Sequence, residues 1–256
     1  MTEHLITTEH MTKTYVMGDI HVHALRGIDI TIDPGEFIAI MGASGSGKTT
    51  FMNLMGCLDK PTAGSYVLDG IAVQDIPEKD LARIRNQKIG YVFQSFYLLP
   101  RTTAMENVEL PLLYRSHLTG HRRREKTLAA LRTVSIDDRA HHFPNQLSGG
   151  QQQRVAIARA IVNDPVFLLA DEPTGNLDTR TGVEVLAVFQ QLHALGKTII
   201  LVTHEHDIAQ YAQRLITFRD GRIISDIPNR DPHDAQADLA KLPVLDDEEE
   251  EAVSCP

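Results

Sequence analysis

The chain has 256 residues, 42% of them apolar, two cysteines and a formal net charge of −9. That length supplies a sizeable core in one or two domains, while no apolar run approaches the roughly 18 residues that a membrane-spanning helix needs. Nine acids against two bases from position 228 onward carry −7 of the charge, so the preceding body is nearly neutral and offers no global attraction to nucleic acid.

Strand patterns come first, at residues 5–11, 27–32 and 37–41, the last being the apolar run "FIAIM". The first fifteen residues lack a basic segment followed by an apolar core, so the expectation is a cytoplasmic chain. A glycine-rich loop follows the third strand, and helical spacing runs from Lys48 to Cys57. Cys57 and Cys255 lie too far apart in sequence for a metal or redox pair and read as free thiols in a reducing compartment. Further strands are expected at 65–70 and 88–93. Helices then dominate: 104–113, opened by the Thr-x-x-Glu capping box of Thr103 and Glu106, then 122–134 and 151–162. The basic run "HRRREK" at 121–126 reads as a solvated helix face. Beyond it come a strand at 166–170, a helix at 182–195, a strand at 198–203, a short helix at 207–211, and two strands joined through Asp220-Gly221, the signal of a tight hairpin. The order predicts an α/β core with a β-rich N-terminal part and an inserted helical subdomain over about 95–163. Residues 228–256, acidic and broken by prolines, are expected to form a disordered tail outside the domain at 1–227.

The loop Gly42-Ala43-Ser44-Gly45-Ser46-Gly47-Lys48-Thr49-Thr50 matches G-x-x-x-x-G-K-[ST] between a strand and a helix. Glycines let successive backbone N–H groups turn inward around a phosphate, and the open helix N-terminus adds partial positive charge. Lys48 would reach the terminal phosphates, and the Thr49 hydroxyl would bind Mg²⁺. A second element, "VFLLADEP", is an apolar strand ending in two carboxylates. Strand carboxyl ends are where α/β folds place ligands. Asp171 would serve the Mg²⁺ shell, and Glu172 would orient or deprotonate the attacking water. A third element, "LSGGQQQR", opens a helix that Ser148 can cap, with Gly149 and Gly150 leaving N–H groups free for a second anion. One nucleotide does not need two cradles in one chain.

The set "GASGSGKTT", "LSGGQ", "FLLADEP" and "VTH", in this order and spacing, resembles the ATP-binding cassette (ABC) ATPases over roughly residues 5–227. The resemblance implies the fold of that family: a P-loop NTPase core with an N-terminal antiparallel β-subdomain and an inserted α-helical subdomain. It implies a head-to-tail homodimer that sandwiches ATP, with Ser148, Gly149, Gly150, Gln151 and Asp178 acting on nucleotide held by the partner. Gln94 matches the glutamine that senses Mg²⁺ and water, His204 the switch histidine beside the γ-phosphate, and Tyr15 the aromatic that stacks on adenine. Gly175-Asn176 stands where the family often has serine-alanine. Residues 53–70 and 83–114 look like the subgroup of lipoprotein-releasing, macrolide-export and antimicrobial-peptide-resistance systems. That likeness implies a separate integral membrane permease, with or without a periplasmic adaptor, a docking surface around Gln94 to Arg101, and a place on the cytoplasmic face of the cell membrane. The alternative is a soluble ATP-switched regulator. It fits less well, because the long coiled coil of repair members and the second cassette of translation members are both missing from this sequence.

Overall fold

The computed structural model describes residues 4–115 and 117–243. Two sheets organise the chain. In the first, β1 (Ile6–Met17) and β2 (Ile20–Ile32) form a long antiparallel hairpin, and β4 (Ala63–Leu68) and β5 (Ile71–Ala72) extend it in the order β2-β1-β4-β5. The second comprises β3 (Phe37–Met41), β6 (Ile89–Phe93), β7 (Phe167–Asp171), β8 (Thr198–Val202), β9 (Arg214–Arg219) and β10 (Arg222–Pro228), in the order β10-β9-β3-β8-β7-β6. All of its pairings are parallel except β9 with β10. The predicted turn joins those two: Asp220 and Gly221 have φ of 50° and 75°, the positive pair that matches strand twist in a two-residue hairpin.

The helices are α1 (Lys48–Met55), α2 (Glu78–Lys88), α3 (Ala104–Leu113), α4 (Gly120–Thr133), α5 (Gly149–Ile161), α6 (Thr179–Ala194), α7 (His206–Ala209) and α8 (Ala235–Leu239). The parallel strands are buried on both faces, which explains their continuous apolar sequence. Alternate residues divide between two cores. Phe37, Ala39, Leu168, Ala170, Ile199 and Leu201 face α3, α5 and α6. Their neighbours Ile38, Ile40, Phe167, Leu169, Ile200 and Val202 face α1 and the antiparallel sheet. Each large side chain buried this way contributes about 1.5–3 kcal/mol relative to exposure.

The chain thus adopts the expected α/β architecture, with an antiparallel N-terminal sheet and a helical insertion between β6 and β7. The capping box forms as read: the Thr103 hydroxyl accepts from the Glu106 N–H at 3.2 Å, and the Glu106 carboxylate accepts from the Thr103 N–H at 2.7 Å. The expected disordered tail needs correction over its first part. Residues 228–243 strap back over α6: Asn229 donates to the carbonyls of Gln210 and Ala212, Tyr211 donates to Asp238, and Arg180 donates to the carbonyls of Leu242 and Pro243. Ala235 is fully buried, with Leu239 and Leu242 packed against the same core. These few apolar positions outweigh the acidic, proline-broken composition. The run at 246–251 and Cys255 lie outside the described residues.

Candidate active site

Strand register brings distant motifs to one edge. Ile40 pairs with Val202, Asp171 pairs with Val202 on its other side, and Met41 pairs with Thr217. The carboxyl ends of β3, β7 and β8 are therefore adjacent, and whatever follows each strand meets there.

After β3, the loop turns through Gly42, Gly45 and Gly47 with φ of 147°, 78° and 105°, values in the region that favours glycine. Space imposes the same choice: a Cβ on Gly42 would collide with the Phe218 carbonyl, and one on Gly47 with the Ala24 carbonyl. The Lys48 ammonium donates to the carbonyls of Gly42 and Ala43 at 2.5 and 3.0 Å, which holds it inside the turn. Gly221 N–H donates to the Ser46 carbonyl at 2.9 Å, and the Gly221 carbonyl accepts from the Arg26 N–H at 2.8 Å. The β9–β10 turn thereby ties the loop to β2.

After β7, Glu172 bends out of the strand at φ 43° while its N–H still donates to Val202 at 2.8 Å. That bend turns the carboxylate towards His204, two residues beyond the end of β8. Glu172 Oε1 and His204 Nδ1 are 2.7 Å apart. Burial raises the Asp171 pKa above the ordinary carboxylate value, the Glu172 charge adds to the rise, and Lys48 opposes it.

These groups line one cleft of about 1170 Å³, which takes in every residue from Gly42 to Thr50 except Ser46, together with Asp171, Glu172 and His204. Ser46 does not border the cleft, and its buried hydroxyl has no hydrogen-bond partner among the described residues. His23, Arg26, His206 and Asp220 also border the cleft. No sequence signal marked His23, Arg26, His206 or Asp220 as site residues: the first two lie on a strand, where alternation signals burial and carries no chemistry, and the others on a helix start and a turn.

Tyr15 and Gln94 stand apart from the cleft lining. Tyr15 pairs with Val22, which does border it, and donates its hydroxyl to Asp59 at 3.2 Å, with the Lys13 ammonium 5.1 Å from its ring centroid. Gln94 faces the segment after Glu172, where Asn176 Nδ2 donates to the Gln94 carbonyl at 3.0 Å.

The second glycine pair sits elsewhere. Ser148 caps α5 in a full capping box with Gln151, at 3.3 and 3.1 Å. Ser148, Gly150 and Gln151 border a separate pocket of about 270 Å³ with Arg139, Arg154 and Glu184, and no residue borders both cavities. Asp178 caps α6, accepting from the Thr181 N–H at 2.9 Å, which lowers its pKa.

Comparison with known proteins agrees with this arrangement. Residues 25–175 match the ABC transporter family. An uncharacterized ABC transporter ATP-binding protein of Thermotoga maritima is 52% identical over 211 residues, covering 82% of this chain and 90% of that one. The macrolide export ATP-binding/permease protein MacB of Brucella melitensis is 48% identical over 235 residues, covering 92% of this chain but only 36% of MacB. Among solved structures, the ATP-binding cassette MJ0796 of Methanocaldococcus jannaschii, a dimer in a post-hydrolysis state bound to ADP and Pi, superposes with a TM-score of 0.79 at 45% identity, covering 88% of this chain and 99% of that one. The chain accordingly belongs to the ABC transporter family, as an ATP-binding subunit that hydrolyses ATP.

Proposed function

We propose that two copies of the chain close head to tail around two ATP molecules, each phosphate loop facing the Ser148–Gln151 segment of the other copy. The separation of the two cradles into cavities with no common residue carries this reading. A helix N-terminus with open N–H groups has no phosphate to meet within its own chain. The dimeric form of MJ0796 supports it.

The donor set fits Mg²⁺-ATP. Gly42 and Gly47 leave a cradle that a Cβ would fill. Asp171 carries a half-buried carboxylate whose pKa is raised by burial first and by the Glu172 charge second, a setting that a bound cation would relieve. Among the described residues no cluster of three His, Cys, Asp or Glu is placed to hold a metal, which suits an ion bound by one hydroxyl, one carboxylate and phosphate oxygens. Thr49 and Asp171 would hold it, with Gln94 joining on closure. When bound, Mg²⁺ neutralises charge on the phosphate oxygens.

The chain's own residues do the rest. Lys48 and the loop N–H groups bind the triphosphate, and Tyr15 and Val22 meet the base. Glu172 takes the proton of the attacking water at its carboxylate, while His204, already 2.7 Å from Glu172, fixes that carboxylate and the water. A positioned base of this kind contributes about 10²- to 10⁴-fold. The partner's Ser148 segment and Asp178 complete the site only when the two copies close.

Closure does work on a separate membrane permease. Among the described residues no helix is long and apolar enough to cross a membrane. A groove of about 800 Å³, bordered by Arg83, Tyr91, Phe93, Tyr97 and Tyr114, offers an aromatic surface for a cytoplasmic helix of the permease. On this reading the chain works at the cytoplasmic face of the cell membrane, in an exporter or lipoprotein-releasing complex with or without a periplasmic adaptor. The test is the order of the reaction: specific ATPase activity of the purified chain should rise with protein concentration. Specific activity constant down to nanomolar protein would reject a site built from two copies.

A further inference from the structure

Residues 94–99 leave β6 along the rim of the aromatic groove. Phe96 and Tyr97 are both left-handed, with φ of 58° and 48°, a conformation that residues bearing a Cβ hold only where their surroundings enforce it. The enforcing group is Arg159, in the last turn of α5. Its Nη1 donates to the Tyr97 carbonyl and its Nη2 to the Phe96 carbonyl, each at 2.6 Å. Two successive left-handed residues turn their carbonyls to the same side, which a planar guanidinium fork can grip and a lysine cannot. Burial lowers the Arg159 pKa, so the two carbonyls also compensate a partly desolvated charge.

The loop is pinned at both ends. Asn176 holds the Gln94 carbonyl at 3.0 Å, and Leu99 N–H donates to Asn107 at 2.7 Å. Between the pins, Tyr97 is 65% exposed, and its ring stands edge-on to Phe93, with centroids 5.2 Å apart. The helix that carries Arg159 begins at the Ser148 cap. One rigid rod of 13 residues therefore has the second anion cradle at one end and the grip on the groove's rim at the other.

We propose that Arg159 is a positioning residue that latches residues 96 and 97 to α5, so that displacement of this helix at its Ser148 end is transmitted to Tyr97 at the mouth of the groove. The inference rests on the two-copy reading only for the source of the displacement.

Peptide-resolved hydrogen exchange on the full chain tests it in two steps. Without nucleotide, Arg159→Ala should speed exchange over 95–99 by about tenfold or more, the scale set by losing hydrogen bonds to a charged group. Arg159→Lys should fall between, and exchange over 147–153 should stay as in the parent. Unchanged exchange over 95–99 would overturn the latch. In the second step, ATP is added in a Glu172→Gln background. Exchange over 147–153 should respond with or without Arg159, and exchange over 95–99 should respond only with it. An equal response over 95–99 in both proteins would overturn the coupling. Silence over 147–153 in the Arg159-containing protein would reject the two-copy reading instead, leaving the nucleotide-free step to decide the latch. If the alanine variant does not fold, the lysine variant gives the same comparisons, since it keeps the charge and loses the fork.

Discussion

The two glycine-containing cradles share a design and differ in completeness. The loop at 42–49 has a lysine held by its own carbonyls, two carboxylates and a histidine around a single cleft. The segment at 148–151 has a capped helix N-terminus, and the arginines nearest it are already engaged, Arg154 with Glu184 and Arg139 with Asp138. On the proposed reading the first binds and acts on a nucleotide, and the second adds donors to one held by the other copy. A site divided as proposed would make catalysis conditional on assembly.

Substitutions can break the comparison in order of effect. Glu172→Gln removes the base from the complete half. Turnover should fall about a thousandfold while ATP is retained, measured by steady-state hydrolysis and equilibrium binding, and near-normal turnover would remove Glu172 from that role. Ser148→Arg blocks the incomplete half. Turnover should fall about a hundredfold, the scale of losing donors to developing charge, with ATP binding to the single chain within about twofold. The lost N-cap should lower the melting temperature by about 2–4 °C. ATP-dependent dimerisation surviving in that variant would contradict the divided site. Lys48→Ala should weaken ATP binding itself by about 10- to 100-fold, read by calorimetry, which separates holding nucleotide from acting on it.

The smallest effect sharpens the electrostatics of the complete half. Asp171 has a raised pKa, from burial first and the Glu172 charge second. The folded chain keeps that proton to higher pH than the unfolded chain does. Between the unfolded and folded values the native state therefore binds more protons, and this group's contribution to stability falls as pH rises. Asp171→Asn, without nucleotide, should raise the melting temperature at neutral pH by about 1–3 °C, and the gain should shrink as pH drops towards 4.

What the sequence revealed depended on how local its signal was. The strands leading to Gly42 and Asp171 are unbroken apolar runs, so both sites were legible with their chemistry; the Thr103 cap was read from its three-residue spacing to Glu106, and the Ser148 cap from a serine at the start of a helical pattern. Helix α2 was missed because only Leu81 and Ile84 of its 11 residues are buried, too few to mark a period. The 2.7 Å approach of His204 to Glu172 depends on parallel register between β7 and β8, which no local pattern encodes. Arg159 left no trace either: one arginine near the end of an apolar-patterned helix looks like a favourable dipole partner, and its role emerges only when the carbonyls 62 and 63 positions earlier meet it. The strap at 228–243 was obscured by its own composition, since acids and prolines outnumber the few apolar residues that dock it.

The turn at Gly221 touches Ser46 with one backbone group and Arg26 with another, so a single residue of the last hairpin clamps the floor of the cleft to the sheet that flanks its opposite end. The span between the region around Val22 and the phosphate loop is consequently set during folding. On the proposed reading the cleft would act as a fixed gauge: a nucleotide would enter a frame whose length is already determined, little ordering entropy would be lost at that step, and the conformational freedom left to spend would belong to the meeting of two chains.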